Sequence, residues 1–328
     1  MLQPPSTLRG SATFRGPRRL KRILVTGGAG YIGSILCPQL LEAGHEVVLL
    51  DSLMFGVQPI LHFINHPKLQ VVHGDIRDPR VVTPLTGKAD AVLHLAAIVG
   101  YPACAADPTT AETTNVDGTR ILVDSLSRSQ MLVYASTGST YGQCETVATE
   151  ETPINPLTLY GRTKRDAERL VVDKGGVGLR FATVFGLSPR LRLDLLVNDF
   201  CYQAYHHKQI ILFEGHHRRT FLHARDAAAV YPFTLAHYEA MRGDVYNVGA
   251  SDMNYTKIEV AQAIRALQPF YLHEAAVGED LDKRNYEVSY AKINALGYHA
   301  TISLDEGIRE MMRVIPFIQQ RSPWRNAG

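Results

Sequence analysis

Cysteine is scarce in this chain and poorly placed for its usual structural roles. The 328 residues contain four, Cys37, Cys104, Cys144 and Cys201, with no CxxC pair. That argues against a disulfide framework and against a zinc site, and it leads us to expect reduced thiols in the cytoplasm. An excess of either charge sign is also missing: 34 Lys and Arg face 32 Asp and Glu, for a formal net charge of +2. Such balance gives no global electrostatic reason to bind nucleic acid or a membrane surface. No apolar run reaches the length of a membrane-crossing helix. A soluble globular protein is expected, with 45% hydrophobic residues supplying a sizeable core.

Carboxylates are missing from the start of the chain, where the first is Glu42. Residues 1–22 instead carry Arg9, Arg15, Arg18, Arg19, Lys21 and Arg22. An Arg-rich, acid-poor leader can be an organelle transit peptide, but Pro4, Pro5 and Pro17 and the lack of helical periodicity oppose an amphipathic presequence. A flexible extension over 1–22 is expected, with the fold starting at Ile23.

From there, short apolar runs alternate with amphipathic patterns. Strands are expected at 23–26, 47–50, 69–72, 91–95, 131–134, 179–184 and 245–248, with helices over 31–43 and 256–267 among others. Apolar strands separated by helices fit a parallel sheet covered on both faces. The fold class is therefore α/β, a doubly wound parallel sheet of the Rossmann type, with a smaller C-terminal lobe. The expected division gives 23–186 and 224–253 to a dinucleotide-binding domain, and 187–223 and 254–328 to a substrate lobe facing the carboxyl ends of the strands.

The turn after the first strand reads Thr26-Gly27-Gly28-Ala29-Gly30-Tyr31-Ile32-Gly33. Gly27, Gly30 and Gly33 would permit a tight turn, close approach of the backbone to a pyrophosphate, and a helix start that presents free N–H groups. Asp51 ends the next strand at about the twenty-residue spacing of a ribose ligand. Its charge would repel a 2′-phosphate, so NAD is preferred to NADP. Further on, Tyr160 and Lys164 are four apart and share a helical face. A nearby ammonium favours phenolate, which a tyrosine needs in order to serve as a base at neutral pH. Ala135-Ser136-Thr137-Gly138-Ser139-Thr140-Tyr141-Gly142 brings hydroxyls to a strand end, where they can bond either a substrate or the local backbone.

With Gly74-Asp75-Ile76, His94-Leu95-Ala96-Ala97 and Asn115-Val116-Asp117-Gly118-Thr119 in that order, the chain from about Arg22 to Asn326 resembles the extended short-chain dehydrogenase/reductases, in the nucleotide-sugar epimerase/dehydratase family. The resemblance implies Tyr160 as general base, Lys164 as partner of the nicotinamide ribose and of Tyr160, and Thr137 as hydroxyl partner. It implies that Tyr31 and Ile32 in the turn, Asp75 and Ile76 beside adenine, and Leu95, Ala96 and Ala97 in the cleft bind the cofactor. It further implies that Asn198, Arg219 and Arg284 bind the substrate diphosphate, and that a homodimer forms through helices near 112–127 and 158–172. Arg190 and Arg192 could meet phosphate or sugar.

Departures from the family pattern narrow the reaction. The 4,6-dehydratases carry an acidic pair where this chain has Gly138 and Ser139; decarboxylases keep a Glu nearby, and 3,5-epimerising members use a Cys there. Redox at one carbinol carbon remains. The expected function is an NAD-dependent 4-epimerase of a nucleotide-diphosphate sugar, a hexose or, on the likeness of the 188–200 and 282–286 segments, a heptose. A 4-dehydrogenase or ketoreductase would use the same residues, and an NAD-binding sensor would have no need of the Tyr160–Lys164 pair. His206-His207 and His216-His217 invite a metal reading, but the chemistry needs no metal and loop histidines are expected.

Overall fold

A computed structural model describes residues 21–144, 146–275 and 287–318. Its first strand, β1 (Arg22–Thr26), begins one residue before the apolar run, because Arg22 already pairs in register with Glu46 of the next strand. Ile23, Leu24 and Val25 are all fully buried although consecutive strand residues point to opposite faces. Ile23 and Val25 join Leu36, Val47, Leu49 and Leu93 in one core. Leu24 joins Val48, Leu50, Val92 and Leu132 in another. Burial on both faces is what a parallel sheet sheathed in helices demands. Each large aliphatic side chain so placed contributes roughly 1.5–3 kcal/mol, more than strand propensity could.

The following strands are β2 (Glu46–Asp51), β3 (Leu69–His73), β4 (Ala91–His94), β5 (Met131–Thr137) and β6 (Val177–Phe181). Then come β7 (Thr183–Phe185), β8 (Gln209–Leu212), β9 (Arg218–His223), β10 (Val245–Val248), β11 (Asn254–Thr256) and β12 (Tyr271–Glu274). The main sheet is parallel throughout, in the order β10-β6-β5-β4-β1-β2-β3. Chain direction through the sheet reverses between β1 and β4, and a crevice opens at the carboxyl ends there.

Helices α1 (Gly33–Glu42), α2 (Pro79–Thr86), α3 (Tyr101–Ala106), α4 (Pro108–Glu112), α5 (Gly118–Asp124) and α6 (Leu159–Asp173) serve the first half. A π-helical turn, Thr113–Asp117, lies between α4 and α5. α6 is started by Thr158, whose hydroxyl accepts from the Gly161 N–H at 3.1 Å. The later helices are α7 (Leu196–Tyr202), α8 (Ala224–Ala236), α9 (Tyr238–Met241), α10 (Lys257–Leu267), α11 (Ala291–Ala295) and α12 (Leu304–Val314). Both α10 and α12 open with capping boxes, Thr256 with Glu259 and Ser303 with Glu306.

The single strand expected over 179–184 is two. β6 ends at Phe181, the Ala182 N–H turns to the Val248 carbonyl, and β7 leaves to pair with β9 in a separate sheet, β11-β9-β7. A second core gathers around it from Phe185, Val197, Phe200, Phe221, Val260 and Ile308. Residues 287–300 depart from the expected division. Val288, Tyr290, Ile293 and Tyr298 pack on the first core, and the Ser289 carbonyl accepts from Asn247 in β10 at 3.1 Å.

Candidate active site

The carboxyl ends of the central strands, with the connections leaving them, enclose a cavity of about 540 Å³. Its floor begins in the turn after β1. Gly27 has φ +73°, and a Cβ there would lie 2.6 Å from the Ala96 nitrogen; a Cβ on Gly33 would lie 2.4 Å from the Gly27 carbonyl oxygen. Bare backbone therefore forms the wall along Gly27, Gly30 and Gly33, with Tyr31 and Ile32 between them. α1 starts at that point, and the N-terminus of a helix favours an anion.

Asp51 closes β2 beside this turn. Its Oδ2 accepts from the Ala29 N–H at 3.0 Å and its Oδ1 from the Leu53 N–H at 2.8 Å. Burial raises its pKa while both N–H groups lower it. The carboxylate thus locks the turn and still borders the cavity, where it can accept from ribose hydroxyls. Asp75 and Ile76 follow along the same wall, with the Asp75 carboxyl held low by hydrogen bonds from Arg77, 2.6 Å away. A backbone cradle that admits no Cβ, next to a ribose-competent carboxylate, fits a dinucleotide.

Leu95, Ala96 and Ala97 line the facing wall, and a buried histidine fixes them. The Thr119 hydroxyl donates to the Asn115 carbonyl at 2.7 Å, so it accepts from His94 Nε2 at 2.9 Å. His94 Nδ1 then accepts from the Thr26 hydroxyl at 2.7 Å, and Thr26 Oγ1 in turn accepts from the Ala96 N–H at 3.3 Å. Burial pushes the His94 pKa down to about 3, so the ring is neutral. Asn115 extends the scaffold: its Oδ1 accepts from the Ile98 N–H at 2.7 Å, and its Nδ2 donates to Thr163 on α6 at 3.0 Å.

α6 brings Tyr160 and Lys164 to the cavity one turn apart. Lys164 is buried, its Nζ 4.1 Å from the centre of the Tyr134 ring. Burial lowers its pKa to about 7, and the Glu168 carboxylate one turn further opposes that fall. Glu168 accepts from the Ser136 hydroxyl at 2.5 Å and from a two-pronged Arg180 guanidinium, 2.7 Å at the shortest. Helix α6 and the end of β5 are joined by this ion pair. Thr137, next to Ser136, lines the cavity; its hydroxyl accepts from the Ser139 N–H and donates to Ser139 Oγ, both at 3.2 Å.

Asn198 and Arg219, expected as diphosphate ligands, are not among the residues lining this cavity. Asn198 is fully buried off the cavity wall: its Oδ1 accepts from the Gly186 N–H at 2.8 Å, and its Nδ2 donates to the Arg192 carbonyl at 2.8 Å and the Tyr31 hydroxyl at 3.2 Å. It organises the segment that carries Arg190 and Arg192, which do line the cavity. Arg219 is buried in β9, away from the wall, with Nη1 donating to the Arg218 carbonyl at 2.9 Å. Arg284 falls outside the described residues. The histidine pairs lie among other rings. His206 lies 4.4 Å from the Tyr202 ring, the His216 and His217 rings are 4.7 Å apart, and no group of three metal-binding side chains occurs among the described residues.

Sequence reasoning gave Phe55, Val99, Thr114 and Thr183 no place at the site, yet all four line the cavity. Phe55 carried one available signal, its position four residues past Asp51 on the connection from β2. His94 and Asn115 stood in local motifs, but their scaffold roles, like that of Glu168, depend on pairings across distant segments.

The NAD dependent epimerase/dehydratase family matches residues 23–249. A curated relative, UDP-glucuronic acid decarboxylase 1 of Xenopus tropicalis, is 28% identical over 317 residues, covering 90% of this chain and 72% of the relative. Among solved structures, UDP-glucuronic acid 4-epimerase of Bacillus cereus, in complex with UDP-glucuronic acid and NAD, is similar with a TM-score of 0.79 at 26% identity, covering 90% of this chain and 99% of that one. A dTDP-glucose 4,6-dehydratase of Streptomyces venezuelae with NAD bound gives a TM-score of 0.79 at 26% identity, covering 92% and 98%. Three reactions are represented among these similar proteins.

Proposed function

The chain belongs to the NAD dependent epimerase/dehydratase family, and from that premise we propose that it is a nucleotide-sugar 4-epimerase that keeps its NAD through the cycle. One observation carries the choice of reaction. Among the described residues lining the cavity the carboxylates are Asp51 and Asp75, both at the end where the glycine turn and β3 meet. The Tyr160 end offers a phenol, an ammonium and the hydroxyls of Thr137 and Ser139. Water elimination or a carboxylate-assisted step would need an acid or base there beyond Tyr160. These groups suit proton transfer at one carbinol carbon.

NAD, when bound, supplies the acceptor and then the donor of the C4 hydride. Tyr160 takes the C4 hydroxyl proton as the C4–H bond breaks, leaving a 4-keto sugar. Lys164 stabilises the phenolate and Thr137 bonds the C4 oxygen in both its hydroxyl and keto forms. After the pyranose turns, Tyr160 returns the proton as the opposite face is reduced. Holding the reacting groups in place supplies much of the rate. Gly27, Gly30, Tyr31, Ile32, Gly33, Asp51, Asp75, Ile76 and Leu95 to Ala97 are the residues we assign to the cofactor.

We place the enzyme in the cytoplasm as a homodimer. The two expected contact segments present exposed charges, Glu112, Asp117, Arg120 and Asp124 on one and Arg162 and Arg169 on the other, and a two-fold interface would use both segments from each protomer. Incubation with UDP-, GDP- and ADP-linked hexoses and heptoses, without added cofactor, tests the reaction by proton NMR. A C4-inverted product without accumulating NADH is expected. A persistent 4-keto sugar would make the protein a dehydrogenase instead, and loss of CO2 from a nucleotide-linked uronate would make it a decarboxylase.

A further inference from the structure

The ion pair of Glu168 on α6 with Arg180 on β6 reaches both flanks of the turn that carries the site's hydroxyls. On the near flank the Ser136 hydroxyl donates to Glu168 Oε2 at 2.5 Å. On the far flank Arg180 Nη1 donates to the Tyr141 hydroxyl at 2.9 Å, and that hydroxyl donates on to Asn247 Oδ1 at 2.7 Å. Between the flanks lie Thr137, Gly138, Ser139 and Thr140, the last three forming a single 3₁₀ turn. Glu168 belongs to the helix that brings Tyr160 and Lys164 to the site, one turn beyond Lys164. Ser136, Thr137 and Ser139 line the cavity, whereas Glu168, Arg180 and Tyr141 are buried and do not border it.

A buried ion pair is a weak source of stability, because desolvation offsets most of the attraction and apolar side chains of similar volume serve as well or better. What apolar side chains cannot do is fix two hydroxyls by directed bonds. We propose that the Glu168–Arg180 pair is a positioning device for the reaction: by holding Ser136 and Tyr141 it sets the intervening turn, and with it the Thr137 hydroxyl, against Tyr160 and Lys164. Reacting groups need placement to within about 0.5 Å, and an error of about 1 Å can cost about a hundredfold in rate. The inference rests on the reading of Thr137 and Tyr160 as the groups at the C4 carbinol. It applies equally whether the keto sugar is re-reduced or released.

The test compares Ser136→Ala and Tyr141→Phe, each of which frees one flank and leaves the ion pair, with Glu168→Leu plus Arg180→Met, which frees both. The kcat for whichever product wild-type protein forms, inverted or keto sugar, should fall about tenfold in each single variant and up to about a hundredfold in the apolar pair. KM for the nucleotide sugar and bound NAD should stay at wild-type values. Adding Ser136→Ala to the apolar pair should lower kcat no further, since the bond it removes is already gone. A full further loss there, or a raised KM with unchanged kcat in Ser136→Ala, would put Ser136 on the substrate and overturn the proposal. Wild-type kcat in the folded apolar pair overturns it too; should that pair not fold, wild-type kcat in both single variants does so equally. A readout without sugar is the order of the Thr137 methyl group, taken from NMR relaxation of NAD-loaded protein labelled at threonine methyls. It should drop in both single variants, and unchanged order overturns the proposal even where no sugar is turned over. Keto sugar from wild-type protein, with the same losses in the variants, leaves the positioning role standing and removes only the epimerase reading.

Discussion

The Tyr31 hydroxyl donates to the Gly186 carbonyl at 2.5 Å, across 155 residues of sequence. Asn198 meets the same hydroxyl and holds both the N–H and the carbonyl of Gly186. The glycine turn after β1 and the segment after β7 are therefore one buried hydrogen-bonded unit.

Because these bonds share partners, their losses should not add. Tyr31→Phe and Asn198→Ala are each expected to cost about 1–3 kcal/mol, as buried partners are left unpaired. The double variant should lose at least 0.5 kcal/mol less than the sum, roughly the lower limit for coupled neighbours. Urea unfolding of the four proteins measures it, and strict additivity would mean that the two side chains act separately.

Tyr160→Phe removes the phenol to which we assign the proton transfer and keeps the ring. Turnover should fall by about 10²- to 10⁴-fold, while bound NAD stoichiometry and nucleotide affinity stay at wild-type values. Steady-state kinetics with calorimetric titration of UDP checks this. Near-normal turnover would take Tyr160 out of the chemistry.

The Arg180–Glu168 pair is nearly sealed from solvent, with side chains 6% and 3% exposed. Glu168→Ala leaves a buried guanidinium without its carboxylate and should cost about 3–5 kcal/mol. Replacing both residues by apolar ones, Glu168→Leu with Arg180→Met, should recover much of that, since an apolar pair leaves no stranded charge. Denaturant midpoints decide, and a double variant no better than the single would show that the ion pair itself is required.

His94 and His223 have pKa values pushed down by burial to about 3 and about 4. In the unfolded chain each takes up a proton near pH 6.5, and in the folded protein neither does until far lower. Stability is thus fully present above pH 6.5 and falls as pH drops toward 4, by up to about 1.4 kcal/mol per pH unit for each ring. His94→Asn should flatten the slope of stability between pH 6.5 and 4.5. An unchanged slope would show that His94 does not contribute to it.

The sheet and the glycine turn were legible because each is encoded locally, in apolar triplets such as Ile23-Leu24-Val25 and in glycines at fixed spacing. Tyr160 and Lys164 were legible for the same reason, being one helical turn apart. Ala182 was not, because the apolar run from Leu179 to Val184 continues unbroken through the point where the chain changes sheets. β11 and β12 are short strands whose pairing residues, Thr220 and Gln209 among them, are distant in sequence. The bonds of Asn198 were hidden for a related reason: an amide near a helix start suits phosphate, and only the fold reveals that it bonds Gly186, Arg192 and Tyr31.

The change of sheet at Ala182 also brings two sheets to one cavity. Phe181 belongs to the dinucleotide-side sheet and Thr183 to the other, and all three residues line the cavity. The strand end bearing Thr137 and the pair Thr183 and Val184 thus meet across the junction of two sheets, so the cavity is lined from both at this point.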